Sequence, residues 1–165
     1  MAFQGEIVKR PIETDIIKIL KKKKITLAVA ESCTGGLIAH RITNIPGSSA
    51  CFAGGVIAYS DKVKTAVLGV KARTIKTRGA VSRETAIEMA KGVRRRLKTT
   101  AAVAITGIAG PTGATAKKPI GLAYISFVAG KTIRTRKVRF KGSRTELKER
   151  FAEAALGLLS NSIGA

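Results

Sequence analysis

The chain has 165 residues, 45% of them hydrophobic and 25% charged, and its 31 Lys and Arg against 10 Asp and Glu give a net charge of +21. That balance suits a single globular domain over 1–165 and excludes a disordered chain. Apolar runs of about five to eight residues fall far short of the ~18 needed to span a bilayer, and Met1 begins no signal-like stretch, so the expectation is a cytoplasmic protein without membrane contact.

From the amino terminus, Ile12, Ile16, Ile19 and Leu20 keep helical spacing, and after a lysine run ITLAVA (25–30) reads as a buried strand. AESCTGG (30–36) leaves that strand through polar residues and two glycines. Leu37, Ile38, Ile42 and Ile45 then form the apolar side of a helix that Pro46 and Gly47 end. CFAGGVIAY (51–59) reads as the next strand, and Asp61 is placed to cap a short helix carrying Val63, Val67 and Leu68. Ser82 is placed to cap a helix with Ile87, Ala90, Val93 and Leu97 along one face. AAVAIT (101–106) is a buried strand that enters a second glycine loop, GIAGPTG. IGLAYISFVA and TIRTRKVRF follow as an antiparallel hairpin about Gly130 and Lys131. Ser143 and Glu146 have capping-box spacing before a last helix in which Leu147, Phe151, Ala155, Leu158 and Leu159 recur at three and four.

Strands alternating with helices, closed by one hairpin, predict an α/β fold: a three-layer α/β/α sandwich whose mixed sheet is mostly parallel with one antiparallel strand. In such sheets ligands gather at the carboxyl ends of the strands, where both glycine loops emerge.

The chemistry open to those loops is narrow. Cys33 and Cys51, without CxxC spacing, write neither a disulfide framework nor a zinc ribbon, and the acids form no ligand pairs, so no metal is expected. Ser32 stands where a strand turns into a helix, which fits either a helix cap or a nucleophile beside unpaired N–H groups. His40, the only histidine, is eight helical residues on, about 12 Å away. The remaining candidates for a base are Tyr59, Lys62 and Lys64 at another strand-to-helix junction; a lysine in a first helical turn feels the positive pole, which lowers its pKa, though a solvated surface charge is the plainer reading of either lysine.

The net charge attracts anions of every kind and does not choose among nucleic acid, phosphorylated metabolites and acidic membranes. It is concentrated at Lys21 to Lys24, Arg94 to Arg96 and Lys131 to Lys141. The first two clusters come near helix ends, where cations favour the dipole. Phe, Tyr and Trp are 4% of residues, which leaves few platforms for stacked bases.

AESCTGG, then PGSSACFAGGVIAYSDKVK (46–64), GAVS (79–82), ITGIAGPTG (105–113) and KPIG (118–121) together resemble the CinA C-terminal domain family, the nicotinamide-nucleotide amidohydrolases (NMN deamidases). The resemblance implies the same three-layer fold and a metal-independent, cofactor-free hydrolysis of the carboxamide of nicotinamide mononucleotide to nicotinic acid mononucleotide and ammonia. Carried over by position, it makes Ser32 the nucleophile and Lys64 the base, with Tyr59 and Thr106 beside them and Lys62 an unmatched extra. Thr106 would then hydrogen-bond the lysine or the leaving amide. Asp61 stands where the family motif has asparagine, and GATAKK replaces a commoner acidic spacer. The substrate would be held by Thr34, Gly35, Gly36, Gly107 and Arg144, with the amides of Thr34, Gly35 and Gly36 facing the oxyanion and Arg144 on the 5′-phosphate. A homo-oligomer, taken as a dimer, is the implied assembly. The competing expectation is a non-catalytic binder of phosphate or nucleic acid.

Overall fold

The structure is a computed structural model that describes residues 10–165. In chain order it runs α1 (Ile12–Lys22), β1 (Leu27–Glu31), α2 (Leu37–Thr43), a short 3-10 turn (Ser48–Ala50), β2 (Phe52–Ile57), α3 (Asp61–Ala66), α4 (Ala72–Arg78), α5 (Arg83–Arg96), β3 (Ala101–Gly107), β4 (Leu122–Ala129), β5 (Thr132–Arg139) and α6 (Arg144–Gly164). The strands form one sheet in the order β2-β1-β3-β4-β5. β2, β1 and β3 are parallel, β4 is antiparallel to both its neighbours, and β5 therefore points with the first three. This is the α/β sandwich with one antiparallel strand that the sequence predicts.

Side-chain alternation along the central strands builds two unlike cores. Leu27 and Val29 of β1, with Val103 and Ile105 of β3, face α1, α2 and α6, where Ile16, Leu20, Ile38, Phe151 and Leu156 complete a bulky cluster. The opposite face shows only Ala28, Ala30, Ala102 and Ala104, covered by Met89, Ala90 and Val93 of α5. Small residues let α5 settle close to the sheet, and the crowding reaches its other side: a Cβ at Gly92 would lie 1.9 Å from the Leu68 carbonyl oxygen. Any side chain there displaces backbone.

Local chemistry sets most boundaries. The Ser82 hydroxyl accepts from the Thr85 N–H, and the Ser143 and Glu146 capping box is complete at the start of α6. Ser60, not Asp61, caps α3 by accepting from the Val63 N–H, and Asp61 is the first helical residue. β1 starts at Leu27 because the Thr26 and Thr100 hydroxyls exchange hydrogen bonds with each other's backbone just before the ladder begins. α4 carries no buried residue and no apolar stripe, so periodicity does not reveal it. It is held instead by Glu88 of α5, whose carboxylate accepts from the Lys71 N–H and the Thr74 hydroxyl.

α1 and α5, which lead into the parallel strands β1 and β3, end alike. Ile25 N–H donates to the Leu20 carbonyl and Lys24 N–H to Lys21; Thr99 N–H donates to Arg94 and Lys98 N–H to Arg95. Both are Schellman endings, and the left-handed position that usually holds glycine holds Lys24 (φ 53) and Lys98 (φ 52). Among the described residues no helix is long and apolar enough to cross a membrane.

Candidate active site

At the carboxyl edge of the parallel strands a cleft of about 270 Å³ lies between the first glycine loop, the start of α3, the loop before α5 and the second glycine loop. Ser32, Cys33, Tyr59, Asp61, Lys64, Thr106, Gly107 and Arg144 line it, with Ala80, Val81 and residues 108–110 as its walls. Among the described residues no group of three or more His, Cys, Asp or Glu could hold a metal ion. His40 is exposed, its ring paired with Asn44 just past the end of α2, away from the cleft.

The first loop is organised by a residue whose role the sequence does not announce. Glu31, 1% exposed, turns its carboxylate back onto the start of α2. Oε2 accepts from the Thr34 hydroxyl at 2.6 Å and from the N–H groups of Gly36 and Ile38 at 3.1 Å, and Oε1 accepts from the Ala39 N–H at 2.8 Å. A carboxylate therefore occupies the positive end of α2, the place where an anionic ligand would otherwise bind. Gly35 (φ +63) and Gly36 (φ +100) supply the left-handed backbone that folds the loop over it.

This arrangement corrects part of the expected oxyanion site. The Gly36 N–H donates to Glu31 and the Gly35 N–H to the Ser32 carbonyl, so neither is free, and Thr34, Gly35 and Gly36 are absent from the cleft lining. Among the described residues the N–H groups of Cys33 and Thr34 have no oxygen acceptor and face the Cys33 sulfur. On the opposite wall the N–H groups of Ala109 and Gly110, both buried residues, are also without an acceptor among the described residues. Buried amides without partners are uncommon, and a pair of them in a cleft wall is a ready donor site for an oxyanion or a phosphate oxygen.

Ser32 follows β1 directly, fixed by its N–H donating to the Ile105 carbonyl at 3.2 Å. It is 7% exposed, and among the described residues its hydroxyl makes no hydrogen bond. It does not cap α2, because Glu31 performs that task. Lys64 is 2% exposed; its Nζ donates to the Tyr59 carbonyl at 3.1 Å and lies 3.5 Å from Asp61 Oδ1. Burial holds its pKa below the usual lysine value, and the Asp61 carboxylate opposes that shift. Lys64 falls in the last turn of the short α3, so burial rather than the helix pole named from the sequence leads the shift. Lys62 is exposed and outside the lining. Cys33 is buried beside these groups, and loss of solvent pushes its thiol up to about 12, which keeps it a protonated, inert side chain.

Thr106 is 1% exposed at the end of β3, and its hydroxyl donates to the Ala80 carbonyl at 2.8 Å rather than to Lys64. That bond ties the loop before α5 to the sheet. Gly107 is required by close packing, since a Cβ there would lie 2.6 Å from the Ala123 Cβ and 2.8 Å from the Leu122 carbonyl oxygen. Arg144, the first residue of α6, donates to the Tyr59 hydroxyl at 2.7 Å and to the Gly110 carbonyl. Its guanidinium thus bridges the α3 side of the cleft to the second glycine loop.

Residues 9–163 match the family model described as the CinA C-terminal domain. A competence-damage inducible protein of Halothermothrix orenii is 55% identical over 133 residues, covering 80% of this chain and 32% of the relative. A CinA-like protein of Kosmotoga olearia is 44% identical over 153 residues, covering 92% of this chain and 37% of the relative. The chain thus spans about a third of the length of these curated relatives. Among solved structures, a competence/damage inducible protein of Agrobacterium tumefaciens superposes with a TM-score of 0.90 at 38% identity, covering 93% of this chain and 94% of that one. A CinA superfamily protein of Klebsiella pneumoniae gives 0.89 at 29% identity, with 93% and 96% covered.

Proposed function

The chain belongs to the CinA C-terminal domain family, and on that footing we propose that its cleft hydrolyses the carboxamide of a pyridine mononucleotide, nicotinamide mononucleotide, by a serine and lysine pair. One observation carries the reading: a hydroxyl without a partner among the described residues and a buried lysine of lowered pKa line the same small cleft. A serine needs a base to become a nucleophile, and an amine kept out of water supplies one near neutral pH.

In this mechanism Ser32 Oγ attacks the carboxamide carbon while its proton passes to the neutral Lys64 amine. The carbonyl π electrons move to oxygen, and the oxyanion is met by amides of the cleft wall, those of Ala109 and Gly110. Collapse of the tetrahedral centre breaks the C–N bond, and Lys64 returns the proton to the departing nitrogen as ammonia leaves. Water then repeats the sequence on the acyl-serine with Lys64 as base, releasing nicotinic acid mononucleotide and restoring the serine. The aliphatic surfaces of Val81, Ile108 and Ala109 suit a flat pyridinium ring, and Arg144 at the rim suits a 5′-phosphate.

The test is ammonia release from nicotinamide mononucleotide by the wild type and by Ser32→Ala. The expected loss in kcat is at least about a thousandfold, as for other activated nucleophiles. Equal rates in the two proteins would end the proposal.

A further inference from the structure

The carboxyl edge of the sheet holds the cleft; the amino edge, at the other end of the same strands, carries a feature that the proposed hydrolysis does not use. The register aligns Leu27 with Ala101, Ala101 with Ala129 and Ala129 with Thr132. The chain leaving α1, the chain leaving α5 and the turn between β4 and β5 therefore meet at this edge, α1 and α5 lying on opposite faces of the sheet. They bring Lys21, Lys22 and Lys24, then Arg94, Arg95, Arg96 and Lys98, then Lys131 to one edge. No Asp or Glu occurs between residues 16 and 30 or between 89 and 145. Between the end of α5 and the β4–β5 turn lies a groove of about 690 Å³, walled by Lys91, Arg94, Arg95, Lys98 and Lys131.

Among the described residues none of these five groove cations meets a carboxylate; Arg94 donates to the Gly130 carbonyl, and that is the extent of their pairing. Helix poles account for some cations here, but not for lysine at the left-handed positions 24 and 98, where glycine would remove the backbone strain. The chain keeps positive charge at a conformational cost.

We propose that this amino edge is a docking surface for the phosphate backbone of duplex nucleic acid, separate from the cleft and independent of its chemistry. The cations are arrayed along four adjacent strand ends, a span of roughly 15 Å at the usual strand spacing, which matches a run of phosphates better than a single one. The groove admits one sugar-phosphate strand as a ridge. Of the four large exposed hydrophobic side chains among the described residues only Ile133 is here, which gives a bilayer little to take up. Tyr and Phe are absent from the groove lining, so bases are not stacked and binding is indifferent to sequence.

The experiment titrates the full chain into a labelled duplex of mixed sequence, about 20 base pairs long, across salt from about 50 to 200 mM. Five phosphate contacts give a slope of log affinity on log salt of about −4.5. Arg95→Gln, Lys98→Gln and Lys131→Gln together are expected to flatten that slope by about 2.7 and to weaken binding about a hundredfold near 0.1 M salt. The control removes the same charge from the carboxyl side, Lys76→Gln, Lys117→Gln and Lys141→Gln, and is expected to change affinity less than about fivefold because those sites lie more than a Debye length away. All six side chains are exposed, so both variants retain the fold. Equal losses in the two variants would reduce the effect to net charge and overturn the proposal. So would absence of duplex binding, or vesicles of acidic phospholipid binding through the same three residues more tightly than the duplex does.

Discussion

The two edges of one sheet handle charge in opposite ways. At the carboxyl edge Glu31 and Lys64 are buried, and each is surrounded by partners: four donors on the carboxylate, a carbonyl and an aspartate on the amine. At the amino edge the lysines and arginines are mostly exposed and lack acidic neighbours. Charge withdrawn from water is held by fixed partners and can serve chemistry, whereas charge left in water acts at a distance, subject to salt. Among the basic residues described, then, the one to examine for catalysis is the one the fold has hidden.

The sharpest way to break the comparison is Lys64→Met, which keeps the buried volume and removes the amine. Loss of a general base predicts a fall in kcat of about a hundredfold to ten-thousandfold for ammonia release, whereas Lys62→Met, two residues away and exposed, should stay within about twofold. Similar small effects from both would place the base elsewhere.

The next test moves the titration. In the proposed mechanism the neutral amine is the reactive form, so the rate should climb as pH rises through the pKa of Lys64, at a point below the ordinary lysine value of 10.5. Asp61 raises that pKa, so Asp61→Asn should shift the rising limb of the pH profile of kcat/KM to lower pH. Stability follows with its own sign. An unfolded Lys64 binds its proton more tightly than the folded one, so the burden of burying it is present below the folded pKa. It is relieved as pH rises from there toward 10.5. Lys64→Met should accordingly add more stability at neutral pH than in strongly alkaline solution, as thermal melting would read.

At the amino edge the predicted effect is smallest. Lys98→Gly removes a side chain from left-handed backbone and is expected to raise stability by up to about 1 kcal/mol in urea unfolding while weakening duplex binding. A loss of stability would mean that the lysine stem packs favourably where the structure leaves it exposed.

Much of this architecture is legible in the sequence because burial writes itself into it. ITLAVA and AAVAIT can only be interior strands, and Ser143 with Glu146 is sufficient to place the start of α6. Contacts between distant residues are not written in that way. Thr106 meets the Ala80 carbonyl across 26 residues, and α4 exists because Glu88 reaches it from the next helix. The resemblance alone separates Lys64 from Lys62, since a helix pole serves either lysine, and the environment of Lys64 is set by how deeply α3 packs, which no local pattern conveys. Glu31 was the least legible. A glutamate ending a strand looks like a polar exit, and only the loop's return over it makes it the acceptor for three backbone amides.

That acceptor has a bearing on inhibition. An open helix start collects small oxyanions, and inorganic phosphate and sulfate would compete there with any phosphorylated substrate. With a tethered carboxylate already seated, such ions find no vacancy at the start of α2, and any competition with the proposed substrate falls to the cleft-wall amides and the arginine at the rim.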